Sequence, residues 1–142
     1  MSALDALQGC LAAEHAAVFG YGIVGGVLAG VSGTSNLQAY AEECYAVHRG
    51  RRDSLTSLVT RLGETPVAAE PAYRLPFRVT GVDPCKRLAR QLENRTAIAY
   101  ALAVAHTVST SRAMAVDALT DCAIRSADWG TPLQALPGIG PS

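Results

Sequence analysis

Four acids stand where a helical protein could do metal chemistry. Glu14 and Glu93 lie 79 residues apart, and Glu43 and Asp121 lie 78 apart. The pairs carry matching neighbours. Glu14 is followed seven residues on by Tyr21, and Glu93 by Tyr100; Glu43 and Asp121 are each followed by a cysteine, Cys44 and Cys122. Seven residues are two helical turns, so each Glu–Tyr pair shares one face. The repeat suggests two related halves. A carboxylate-bridged pair of metal ions in a bundle takes one Glu from each of two helices and a Glu-x-x-His from each of the others. Three residues after Glu43 and Asp121, however, stand Ala46 and Ile124, and no acid precedes any of the three histidines by three. His48 follows Glu43 by five, a rotation of ~140°, so the two do not share a ligand role on one face.

Arginine is the other telling residue type. Arg51 and Arg52 lie in the run HRGRRD, Arg95 follows Glu93, and Arg125 follows Asp121 by one turn. An acid on a core stripe must be paired, metal-bound or neutral, and the planar guanidinium fork suits a carboxylate. The residues therefore suggest a polar core layer in which arginines stand where metals would. It sets Glu14 and Glu93 against Arg51 or Arg52, Arg95 and Arg125, with His48 and Asp121 in the same layer. Tyr21 and Tyr100 bury their rings there and hydrogen-bond across the bundle. The layer is structural or ligand-binding; no catalytic residue and no cofactor follow from it. The alternative is a divergent iron or manganese oxidoreductase site made of Glu14, Glu43, Glu93, Asp121 and His48. The HRGRRD run could also hold phosphate, but no glycine-rich strand-to-helix loop accompanies it.

Four helices must position these groups. Residues 3–30 carry the stripe Leu4, Leu7, Leu11, Glu14, Val18, Tyr21, Gly25, Leu28 in steps of three and four, with Ser2 and Asp5 as a capping box. Residues 36–62 form a second helix with Leu37, Tyr40, Cys44, Val47, Leu55, Leu58 and Leu62 inward, Ser35 and Gln38 as its capping box, and Gly63 as its C-terminal cap. Residues 63–83 hold three prolines and form a crossover. Residues 84–107 follow Asp83–Pro84 and carry Cys85, Leu88, Leu92, Arg95, Ala99, Leu102 and His106. Residues 111–129 follow Ser109–Ser111, which suits a cap, and bury Val116, Leu119, Ala123 and Ile124. A Pro/Gly-rich tail occupies 130–142. Short links make each helix pair an antiparallel hairpin, and about 21 extended residues reach ~70 Å, enough to cross a helix of ~39 Å. The expected architecture is all-α: one domain over 1–142, a ferritin-like four-helix bundle of two hairpins joined by one long crossover.

The remaining features narrow the function by exclusion. Twelve Lys and Arg balance twelve Asp and Glu, at a pI of about 6.8, which gives neither a nucleic-acid footprint nor a polybasic membrane anchor. The four cysteines form no CxxC pair and suit buried thiols in a reducing compartment. No secretory leader is visible, so the cytoplasm is expected. The stretch EHAAVFGYGIVGGVLAGV, with Gly22, Gly26 and Gly30 four apart, looks like a membrane helix, but its sixteen uncharged residues span ~24 Å, short of the ~30 Å hydrocarbon core. Its glycines continue the side that carries Asp5, Gln8, His15 and Phe19, which suits close approach of another helix. A homodimer is the expected assembly.

AAEHAAVFGYG, AVHRGRRDSL, PAYRLPF, LENRTAIAYA and ALTDCAIRSADW, in that order, resemble a family of uncharacterised ferritin-like, alanine-rich actinobacterial proteins. The resemblance covers roughly residues 4–138. It implies the bundle fold and a soluble cytoplasmic protein, and supplies no catalytic residues. The chain departs from the wider ferritin-like metal pattern at both histidine positions.

Overall fold

The structure, a computed structural model, describes residues 1–131. It holds four helices: α1 Ala3–Ala29, α2 Ser35–Arg61, α3 Val82–His106 and α4 Ser109–Asp128. Every bound lies within two residues of the expected one. Most of the expected tail, 132–142, lies outside the described residues.

Local chemistry sets the helix ends. Ser2 and Asp5 form the expected capping box, each backbone N–H meeting the other side chain at 3.0 Å. Gly63, at φ 84°, closes α2: its N–H donates to Thr60 O and that of Glu64 to Val59 O, satisfying two carbonyls of the last turn. Gly130 closes α4 in the same way. Three expected caps differ. Thr34, not Ser35, precedes α2, and its hydroxyl donates back to Leu28 O and Val31 O, tying off α1. α3 starts at Val82 behind Gly81, so Asp83 and Pro84 fall within its first turn. Val108, not a serine, precedes α4 and offers it no side-chain cap.

Packing fixes the directions. One apolar cluster joins Leu7 and Leu11 of α1 to Leu55 and Val59 of α2, Ala103 of α3 and Ala115 of α4. A second joins Val24 and Leu28 to Ala41 and Cys44, Cys85 and Leu88, and Trp129. So α2 and α3 run parallel to each other and antiparallel to α1, while α4 runs antiparallel to α3. Residues 62–81 therefore return along the bundle, as the link lengths required. They run over α1: Gln8 accepts from Val67 N–H and donates to Thr65 O, both at 2.8 Å, His15 meets Val67 O, and Phe19 packs on Tyr73. On the α1 side expected to meet another helix, the chain's own crossover covers Gln8, His15 and Phe19. Gly22 and Gly26 have open space where a side chain would be. The close approach belongs to Gly20, where a Cβ would stand 2.5 Å from Leu92 Cδ1.

Two stripes slip by one residue. α3 buries Leu92, Glu93, Thr96, Tyr100 and Ala103, leaving Arg95 and Leu102 exposed. The expected stripe runs through Arg95 because it leaves Leu92 on the wrong neighbour: both Leu92 and Glu93 are buried, and the true row continues from the acid. α4 buries Ala115, Ala118, Cys122 and Ser126 and turns Val116, Ala123 and Ile124 outward, because the small side chains let it lie close to α3.

Candidate functional site

Between the two apolar clusters lies a polar layer. Glu14 of α1, His48 of α2 and Glu93 of α3 are each fully buried. His48 Nδ1 meets Glu14 Oε2 at 2.5 Å, and Nε2 meets Glu93 Oε1 at 2.7 Å and Oε2 at 2.9 Å. Both ring nitrogens face carboxyl oxygens, so both donate and the ring is the doubly protonated imidazolium. Burial, the largest single influence, pulls the His48 pKa down. The hydrogen bonds and charges of Glu14 and Glu93 together outweigh it and lift the pKa to about 9. Tyr100 donates to Glu14 Oε1 at 2.6 Å, so all four carboxyl oxygens have a donor.

The two tyrosines divide the work. Tyr100 hydrogen-bonds across the bundle as expected. Tyr21 instead stacks its ring on the His48 ring, at 5.4 Å between centroids and 18° between planes, and its buried hydroxyl has no hydrogen-bond partner among the described residues. A flat cation against an aromatic face is favourable. Burial raises the pKa of both phenols well above the ordinary tyrosine range.

The arginines serve a second site, at the seam between α2 and α4. Asp121 takes Arg51 at 2.7 Å and Arg125 at 2.8 Å, and Arg125 also reaches Glu43 at 2.9 Å. Burial works to raise the Asp121 pKa, but Arg125 and Arg51 hold it below the usual carboxylate range. Of the expected core layer, Arg52 pairs with its neighbour Asp53 and Arg95 points to solvent. Neither touches Glu14 or Glu93. A cation does stand between those two acids, but it is His48. Trp129 was not expected in the core. It is 2% exposed, stacked on Tyr40, and closes the second cluster at the end of α4. Its one sequence signal is a lone tryptophan just before a helix-ending glycine.

The donors do not fit a di-metal centre. Glu43 is 61% exposed at its side chain and, with Asp121, is committed to arginine. Glu14 and Glu93 lie against opposite ring nitrogens of His48, so as placed the three do not converge on one ion position.

Beside Tyr100 the α2–α4 seam opens into a groove of about 510 Å³. Its walls come from Val47, Leu55 and Leu58 of α2 and Met114 of α4, with Arg51 and Arg61 in the lining and Tyr100 of α3 at its floor. α2 and α4 are held apart here, bridged by long side chains rather than by close backbone contact.

Residues 6–141 match a family described as a domain of unknown function, DUF4439. The chain belongs to this family. The crystal structure of a conserved hypothetical protein, rv2844, from Mycobacterium tuberculosis is similar to the DUF4439 chain over most of its length. The two are 32% identical with a TM-score of 0.81, over 89% of this chain and 94% of that one. No curated protein matches. One described helix, α1, is long and apolar enough to cross a membrane. It carries buried Glu14 and packs on α2 and α3, as a core helix does.

Proposed function

We propose that this DUF4439 protein is a metal-free ferritin-like bundle that binds a small ligand in the α2–α4 groove. The observation that carries the reading is the groove itself. At about 510 Å³, it lies within the usual range for small-molecule sites and has their usual make-up, mostly apolar walls with a few polar groups. The buried layer supports the reading from the other side. With His48 between Glu14 and Glu93, the bundle centre is committed to holding the fold, and the accessible polar groups gather at the seam. The protein acts by binding rather than by a reaction, in the cytoplasm, where its four buried cysteines stay thiols.

The test is titration with Nile red, a neutral apolar dye. Ser54 is exposed on the groove wall, so Ser54→Trp fills the groove without touching the core. Saturable fluorescence in the natural protein, lost in Ser54→Trp, is the expected result. A signal that is absent from both, or equal in both, overturns the reading.

A further inference from the structure

Resting on that ligand site, the geometry points to a single-chain amphipathic anion as its occupant: a fatty carboxylate, head outward at Arg61, chain inward toward Tyr100. From Val47 to Arg61 the α2 wall spans ~21 Å. Leu55 and Leu58 lie between two arginines of this wall, Arg51 and Arg61, and the two differ. Arg51, at the inner end, is held by Asp121 and lies against Cys122 Sγ, so its charge is met by the protein. Arg61, at the outer end, has no ion pair among the described residues and is exposed.

Among the described residues no carboxylate lines the groove. A cationic ligand would find no counter-charge there, and a neutral chain would leave Arg61 unused. The hydroxyl-bearing residues Thr110 and Ser111 stand at the same end, on the first turn of α4. That helix start has no side-chain cap, so its N–H groups add positive potential on the Arg61 side. A carboxylate accepts donors from both sides and matches the guanidinium fork.

The experiment is calorimetric titration of the whole chain with three probes of one chain length: dodecanoate kept below its micellar concentration, 1-dodecanol and dodecyltrimethylammonium. Keeping dodecanoate monomeric makes uptake report a free molecule rather than a lipid surface. We expect dodecanoate to bind at least about fivefold more tightly than dodecanol, and the ammonium probe weakest. Arg61→Gln should weaken dodecanoate about fivefold, the size of one exposed ion pair, and leave dodecanol unchanged. Ser54→Trp should block both. Equal binding of dodecanoate and dodecanol, or an Arg61→Gln variant with unchanged dodecanoate affinity, overturns the carboxylate assignment while Nile red binding still upholds the groove. Dodecanoate binding that survives Ser54→Trp overturns the site as well.

Discussion

If His48 is an imidazolium clamped by two carboxylates, the protein must lose stability as its proton is drawn off. The free imidazole pKa is 6.5 and that of folded His48 is about 9. A group raised on folding gives its full stabilisation below its unfolded pKa and loses it as pH rises through the folded one. The loss should therefore fall between pH 6.5 and about 9. At 1.36 kcal/mol per pH unit, the span corresponds to roughly 3 kcal/mol. The site is fully buried, so solvent screening does not reduce that figure. In a domain of this size, it lowers the melting temperature by about 10 °C.

The groups around His48 leave this window clear. Its partners are Glu14 from α1 and Glu93 from α3. Tyr21 and Tyr100 are pushed up by burial and stay neutral. Cys122 on α4 is pushed up to about 12 and Cys44 on α2 is raised, both mainly by burial, and Arg51 stays charged. Thiols of the unfolded chain, near 9, pull the same way only above about pH 9. Urea unfolding from pH 5.5 to 9 should show a plateau and then a fall of roughly 3 kcal/mol at constant slope on urea. In the same protein, the ¹⁵N shifts of the His48 ring should show both nitrogens protonated at pH 7, a readout that needs no variant. Stability that stays flat from pH 6 to 9, or one unprotonated ring nitrogen at pH 7, would refute the clamp.

Three further outcomes follow from the packing. Glu14→Gln should cost about 3–5 kcal/mol in urea unfolding, because it strips a partner from a buried charge, and metal analysis of either protein should find no stoichiometric iron or manganese; unchanged stability or a stoichiometric metal would contradict the layer. Gly20→Val drives side-chain atoms into Leu92 and should cost about 1–3 kcal/mol, whereas Gly26→Leu, facing open space, should leave the melting point within a degree or two. Trp129→Ala empties the closure of the second cluster and should cost about 3–5 kcal/mol, read from the loss of the cooperative thermal transition at 37 °C or a strongly lowered midpoint.

The fold was legible because link lengths and prolines are local facts. A three-proline, 21-residue segment cannot be helix and can reach the far end, and that alone makes α2 and α3 parallel. The level of the site was legible too: the paired Glu–Tyr spacing placed Glu14, Glu93, Tyr21 and Tyr100 together, as they are. The cation was not. The five residues between Glu43 and His48 rule out a shared face on α2 without saying which groups face the ring across the bundle. That depends on the axial register of α2 against α1 and α3, which packing of the apolar clusters sets. Arg95 misled for a related reason, since the row through it and the row through Glu93 differ by one residue, and only the Tyr100 that closes on Glu14 decides between them.

The division of labour between histidine and arginine has a physical cause. Within the dry layer, the carboxyl oxygens are the acceptors and Tyr100 already fills one of them. Arginine brings five N–H donors and would leave some unmet there, at about 1–3 kcal/mol for each orphan. Imidazolium brings two donors on opposite edges of a flat ring, one for each carboxyl group, and offers its face to Tyr21. At the seam the requirement reverses. Arg51 and Arg125 retain contact with solvent, so unpaired N–H groups meet water, and long reach matters more because α2 and α4 stand apart. The bundle thus buries its compact cation and leaves its long ones to brace the seam, and the braced seam is what keeps the groove beside Tyr100 from closing.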